Sequence, residues 1–279
     1  MDRRNDDPAV SEPPWRLSTG RSREALSRLG RGARALADAL LPGVCVLCAD
    51  PCGAAALCGP CLRGLPPLLA ACPVCALPRG AGVGPCAPCG LAPPPWRSAT
   101  ATLRYDFPAD RLVSRLKFRG DFAAGAALTA AMALGPRPPA GERPWLVPVP
   151  LHWGRETLRG FNQAMVLARD LSVVTGSPLR PWLKRRRGTR PQSRLAGAAR
   201  RDNLAGAFRW RGPSLAGRRI VLVDDVMTTG TTLAECALAL RGAEVHLWVA
   251  TRALPGHDGD LDGFSPPAAP SVRDRATRR

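Results

Sequence analysis

Ile220-Val221-Leu222-Val223-Asp224-Asp225-Val226-Met227-Thr228-Thr229-Gly230-Thr231-Thr232 decides how this chain is read. Ile220 to Val223 is apolar, largely β-branched and too short for a helix, so it reads as a buried strand. Asp224 and Asp225 follow at the strand's end, and small hydroxyl residues around Gly230 lead into an apolar-periodic segment, Leu233 to Leu240. Thr232-Leu233-Ala234-Glu235 fits a capping box, which makes Thr232 the expected N-cap. Gly242 stands where a helix-ending glycine belongs, and Val245 to Val249 reads as the next strand. The unit is strand, loop, helix, strand.

Each part of that unit has a chemical use. Backbone N–H groups at a helix entrance, with threonine hydroxyls beside them, suit a phosphate monoester. Gly230 allows the backbone to close tightly around it. Two adjacent carboxylates accept well from a vicinal diol such as the 2′- and 3′-hydroxyls of a ribose. The rival reading is a β–α turn whose acidic pair only caps and solvates. The stretch resembles the phosphoribosyl-pyrophosphate (PRPP) motif of type I phosphoribosyltransferases. There is no Walker A Gly-Lys-Ser/Thr and no G-x-G-x-x-G after a strand, which argues against the common nucleotide motifs.

The 279 residues can hold one medium domain and a small one. No apolar run reaches the roughly 18 residues of a membrane span. Met1 to Gly20 is polar and lacks the apolar region of a signal peptide, so the cytoplasm is the expected location. The net charge of +18 is uneven: Arg180 to Arg219 holds thirteen Lys/Arg and one acidic residue, Asp202. Such clustering predicts a field that attracts phosphates. The only lysines are Lys117 and Lys184.

From the N-terminus, residues 1–40 form an extension, with disorder expected to about residue 20 and a helix over Ser22–Leu41 that stops at Pro42. Residues 41–95 carry a cysteine module with its linker, Leu91 to Pro95. Its pairs are Cys45-x2-Cys48, Cys58-x2-Cys61, Cys72-x2-Cys75 and Cys86-x2-Cys89. Two C-x2-C pairs across a short gap, twice in tandem, have the spacing of zinc ribbons. Eight thiolates suit one or two structural Zn²⁺ ions, and a segment this poor in large apolar residues needs metal to fold. Disulfides and iron–sulfur ligation are the alternatives, and Cys52 is a spare thiol that could swap in. Cys236 is expected in the core.

Residues 96–255 hold the larger domain, and 256–279 form a tail in which disorder is expected. Expected elements are a strand over Trp96–Tyr105, helices over Asp110–Phe118 and Phe122–Leu134 broken at Gly120, a strand over Trp145–Pro150 and a helix over Gln163–Leu171. Arg155 and Arg159 follow a strand end, where open α/β sheets bind ligands and where arginines suit a pyrophosphate or simply face water. His152 reads more readily as structural than as an acid–base group. Trp182 to Trp210 reads as a long charged loop, a lid or a solvated run, ending in a strand.

Four-Cys ribbons, then Val147-Pro148-Val149-Pro150-Leu151-His152, Arg159-Gly160-Phe161-Asn162-Gln163, Thr189-x2-Gln192, Arg200-x2-Asn203-Leu204 and the PRPP motif occur in that order. In this the chain resembles the ComF family of competence-associated proteins, over roughly Leu41 to Leu254. The resemblance implies an α/β, type I phosphoribosyltransferase-like fold with a mainly parallel sheet flanked by helices, preceded by the zinc ribbons. It implies that Asp224 and Asp225 hold the ribose diol, and that Val226, Met227, Thr228, Thr229, Gly230, Thr231 and Thr232 wrap the 5′-phosphate. Pro150 to Arg155, with Arg159, would lie on the pyrophosphate side, and Lys184 to Gln192 would form the lid. Mg²⁺ would bridge ribose and pyrophosphate. Two functions are implied. One is phosphoribosyl transfer from PRPP, or binding of ribose 5-phosphate, with an unknown acceptor. The other is a role in DNA uptake, with single-stranded DNA and a competence helicase as partners and Trp182 and Trp210 at the edges of the basic stretch.

Overall fold

The structure is a computed structural model that describes residues 43–79, 84–151, 160–185 and 206–255. The elements run α1 (Gly59–Arg63), α2 (Ala87–Leu91), β1 (Ser98–Arg104), α3 (Ala109–Arg119), α4 (Phe122–Leu134), β2 (Trp145–Pro148), α5 (Gln163–Thr175), β3 (Leu183–Arg185), β4 (Phe208–Trp210), β5 (Arg219–Met227), α6 (Thr231–Ala239) and β6 (Glu244–Arg252). The helix expected over Ser22–Leu41, the tail from His257, and Arg155, Arg159 and His152 lie outside the described residues.

The main sheet has the order β1-β6-β5-β2, and every neighbouring pair is parallel. This is the expected α/β architecture. Parallel strands need crossovers, and the helices that make them cover both faces of the sheet. The apolar run of β5 therefore divides by alternation. Val221 and Val223 pack with Leu112, Leu128, Leu167 and Leu171 on the side of α3, α4 and α5. Ile220 and Leu222 pack on the other side with Leu233, Cys236 and Phe208. Cys236 is buried there, as expected of a core residue.

β1 stands at the edge of the sheet, where unpaired backbone groups invite wrong partners. The cysteine segment covers that edge. Leu68 N–H donates to Thr102 O, Arg104 N–H to Pro66 O and Ala99 N–H to Pro73 O. Cys45, Val46, Leu57 and Leu65 share one buried cluster with Leu112 and Leu116, while Leu68 and Ala76 join the cluster on the opposite face. A segment too poor in apolar residues to build its own core thus borrows the sheet's.

Several local expectations are corrected. β5 runs on through Asp224 and Asp225 to Met227, because Val226 and Met227 keep pairing with Thr251 and Arg252 of β6. The N-cap of α6 is Gly230, not Thr232: Gly230 has φ +79°, and the helix begins one residue before the expected cap. Glu235 closes no capping box; its carboxylate accepts from Gly206 N–H at 3.2 Å. The C-cap is Leu240, and Gly242 sits beyond it at φ +103° in the turn into β6. Leu91 closes α2 rather than opening a linker, and Trp96 is buried at its far side. The basic stretch begins as a strand, since Lys184 and Arg185 pair with β4 in an antiparallel hairpin. Among the described residues, no helix is long and apolar enough to cross a membrane.

Leu112 is fully buried where the cysteine segment and α3 share a core. Leu112→Ala is expected to cost about 2–5 kcal/mol. Leu134→Ala, at a side chain 73% exposed, is expected to stay within about 0.5 kcal/mol. Denaturant midpoints of the two variants check both.

Candidate functional site

Parallel α/β sheets bind ligands beyond the carboxyl ends of their strands, where successive crossovers leave a crevice. Such a crevice lies past β2 and β5. It is a polar cavity of about 190 Å³ whose wall includes Val149, Pro150, Asn162, Asp224, Asp225 and Thr232. Lys117 and Arg185 supply its positive charge.

The acidic pair is asymmetric. Asp225 is buried and forms an ion pair with Lys117, Oδ2 to Nζ at 3.1 Å. Asp224 lies partly open to the cavity, and its Oδ1 accepts the Asp225 N–H at 2.9 Å. Burial pushes the Asp224 carboxyl well above the usual carboxylate range; the neighbouring Asp225 charge adds to this and Lys117 opposes it. The site therefore holds one carboxylate clamped by a cation and one poised to take a partner. Lys117 comes from the last turn of α3, held in place by Leu112, Val113 and Leu116 beneath it.

The loop after Asp225 is fixed from the side by β6. Thr251 Oγ1 donates to Asp225 O at 2.9 Å, and Arg252 Nη1 donates to Met227 O at 2.8 Å and also to Thr228 O. A Cβ on Gly230 would stand 3.1 Å from Met227 Cε and 3.3 Å from the Trp96 ring. Glycine is needed there for close packing and for its left-handed backbone. Thr229 and Thr231 share a hydroxyl hydrogen bond at 2.9 Å, which organises the entrance of α6. The first amides of a helix have no intrahelical acceptor and face outward as donors.

Of the residues expected to contact phosphate, Thr232 lines the cavity. Val226 and Met227 end β5, and Thr228, Thr229, Gly230 and Thr231 form the turn and helix entrance that lead to it. Lys184 does not line it: strand alternation turns Lys184 to solvent and Arg185 to the cavity. Sequence reasoning named neither Lys117 nor Asn162 as a site residue, and it placed Arg185 only within the lid Lys184 to Gln192. A signal for the first existed, since Lys117 is one of two lysines among 40 basic residues. Asn162 caps α5 through Ala164 N–H and donates to Val149 O at 3.0 Å, so it ties that helix to the β2 end of the cavity. Trp182 and Trp210 lie elsewhere: they pack with Trp145, at the opening of β2. Arg180 and Arg218 stack on these rings.

The cysteines form two separate clusters, Cys45, Cys48, Cys58 and Cys61, and Cys72, Cys75, Cys86 and Cys89, with all ligand atoms in each within 4.8 Å of one another. Cys48 and Cys58 sulfurs are 3.6 Å apart and those of Cys75 and Cys86 3.7 Å. Zn–S arms of about 2.3 Å in a tetrahedron put sulfurs roughly 3.8 Å apart, so both clusters fit zinc. Cys86 N–H and Val74 N–H donate to Cys72 Sγ, as thiolate ligands require. Burial raises the Cys72 thiol, but backbone donors from Cys86, Cys75 and Val74 more than offset it and bring it to about 7. Burial likewise raises Cys45, and backbone donors from Cys48, Cys58 and Leu47 bring it to about 6. Cys52 stays outside both clusters and donates to Ala55 O. Two equivalents of zinc are expected by mass spectrometry of the purified chain, about one in Cys86→Ser, and two still in Cys52→Ser.

No family profile matches the chain. It is 37% identical over 232 residues to DNA utilization protein YhgH of Salmonella typhi, covering 77% of this chain and 99% of that protein. It is 34% identical over 184 residues to Competence protein F of Haemophilus influenzae, covering 60% of this chain and 78% of that protein. A solved structure of glutamine PRPP amidotransferase from B. subtilis, with ADP and GMP, overlaps 44% of this chain and 25% of its own, at 24% identity and a TM-score of 0.31. With nearly the whole length of YhgH matched and the motifs in order, the chain belongs to the ComF family.

Proposed function

We propose that this protein binds a 5-phosphoribosyl group, as PRPP or ribose 5-phosphate, and transfers it from PRPP to an acceptor nitrogen with release of pyrophosphate. The observation that carries this reading is the polar cavity on which Asp224, Asp225 and Thr232 converge, with Lys117 and Arg185 in its wall.

In this reading the ribose hydroxyls donate to Asp224, the carboxylate that no cation clamps among the described residues. The 5′-phosphate rests on the amides and hydroxyls at the entrance of α6, where the helix end favours negative charge. Lys117 and Arg185 face the charge that develops as the C1′–O bond breaks and pyrophosphate departs with the bonding electrons. The paired carboxylates are hard oxygen donors that fit Mg²⁺, which would supply further charge neutralisation at the pyrophosphate. Arg155 and Arg159 are assigned to the pyrophosphate side. The rest is positioning: a preformed cavity holds the sugar where an acceptor reaches C1′.

A second role, in handling single-stranded DNA during uptake alongside a competence helicase, is supported by the names of the relatives and by the basic stretch Arg180–Arg219. Trp182 and Trp210 are engaged with Trp145 and with each other, and Arg180 lies over Trp182, which favours the basic side chains over these rings as the contacts to DNA.

Asp224→Asn separates affinity from stability. Its carboxyl titrates higher folded than unfolded, so the acid form is favoured in the native state. The resulting stabilisation is complete at low pH and is lost as pH rises through the folded value. The variant is expected to melt roughly 2–4 °C above wild type at neutral pH, with the gain vanishing on acidification. It is also expected to bind ribose 5-phosphate at least about tenfold more weakly, a loss of about 1.4 kcal/mol, by calorimetry. For the second role, DNA affinity measured by anisotropy is expected to fall by about 10³ or more between 50 and 200 mM salt.

A further inference from the structure

Arg252 ends β6, and its side chain is 1% exposed. A buried guanidinium is costly unless its N–H groups find acceptors. Those acceptors come from two parts of the molecule far apart in sequence. Arg252 Nε donates to Cys75 O at 3.0 Å, and Nη1 donates to the carbonyls of Met227, Thr228 and Ala253. One side chain therefore joins a ligand residue of the second cysteine cluster to the first residues of the Thr-rich loop. Burial lowers its pKa to about 10, with Cys75 and Cys89 acting in the opposite direction, so the group stays charged at neutral pH.

A second bridge runs beside the first. Trp96 Nε1 donates to Val74 O at 2.6 Å, between the ligands Cys72 and Cys75. The same indole packs against Gly230, where an added Cβ would stand 3.3 Å from the ring. The knuckle formed by Cys72 and Cys75 and the loop 227–230 are therefore held to each other by a forked cation and by an aromatic wedge. Among the described residues, the first cluster makes no such link; it docks instead on α3, where Arg115 donates to Val46 O.

Charge makes the link directional. Four thiolates around Zn²⁺ leave a net double negative charge, and in the second cluster Cys72, Cys75 and Cys89 are all buried. Arg252 is the buried cation beside it. With metal bound, the knuckle keeps its shape and Arg252 is held between anionic cluster and loop carbonyls. Without it, the Cys75 carbonyl loses its fixed place and the loop loses its tether.

We propose that Arg252 is a positioning residue through which metal in the Cys72–Cys75–Cys86–Cys89 cluster sets the shape of the phosphate loop, so that anion binding at the cavity depends on the second cluster and not on the first. The binding half of this statement rests on the sugar-phosphate reading above; the loop-ordering half does not.

The experiment measures amide hydrogen exchange over Met227–Ala234 in the zinc-loaded full chain without ligand, and ribose 5-phosphate affinity in parallel. Zinc content is counted for every variant. Cys86→Ser is expected to lose one zinc, to lower loop protection at least tenfold and to weaken ribose 5-phosphate by a similar factor. Cys48→Ser is expected to lose the other zinc and to change loop protection less than twofold. Arg252→Gln is expected to keep both zinc ions and still reproduce the loop effect. Arg252→Lys, with charge but no fork, is expected to recover only part of it. The Cys86→Ser/Arg252→Gln double variant is expected to be no worse than either single change. Equal protection in Cys86→Ser and wild type overturns the proposal, as does a loss in Arg252→Gln spread evenly over the chain. Should Cys86→Ser fail to fold, the Arg252→Gln arm decides alone. If wild type ignores ribose 5-phosphate while exchange follows the second cluster, the sugar-phosphate reading fails and the coupling stands.

Discussion

Two adjacent carboxylates at the end of a buried strand repel each other, and both cannot remain ionised without a cation. Lys117 resolves the conflict by sitting 3.1 Å from Asp225. The inner acid is thereby paired, and Asp224 is left at the cavity, where burial and its neighbour's charge disfavour its ionisation. The rest of the site is arranged around that division. α3 must end where an ammonium reaches the strand, β6 must hold the carbonyls of Asp225, Met227 and Thr228, and Gly230 must turn left-handed so that α6 starts beside the acids.

The cysteine segment belongs to the same construction. It closes the open edge of β1 with backbone hydrogen bonds and fills both faces of the sheet with a few apolar side chains. Zinc held by its two clusters would substitute for the core that so short a segment cannot make alone. Because its second knuckle also carries Trp96 and Arg252 against the loop, a structural element is continuous with the site.

What could be read from the residues was what local physics determines. The strand before Asp224, the helix after the loop, the broken helix pair at Gly120 and the paired cysteine spacing all follow from periodicity, glycine and ligand geometry. What could not be read was set by partners distant in the chain. Nothing local to Val-Ser-Arg-Leu-Lys117 says that its ammonium meets Asp225. Whether Lys184 or Arg185 faces the cavity depends on the register of a strand three residues long. Glu235 matched a capping box, yet the left-handed turn at Gly230 moved the helix start and freed that carboxylate for Gly206. Trp182 and Trp210 stand at the borders of a charged stretch, but in the fold they pack on Trp145 and on each other, and Arg180 stacks on Trp182. Arg252 closes the apolar run of β6, and its contact with Cys75 O, far away in the chain, is visible only in the fold.

The account turns on a sugar phosphate occupying the crevice beyond β2 and β5. A crystal structure of the protein soaked with ribose 5-phosphate tests it most directly. The account predicts the phosphate at the amides of the Thr228–Thr232 loop and the ribose hydroxyls on Asp224. Density for the sugar elsewhere, or an empty crevice with the acids unchanged at saturating ligand, would contradict it.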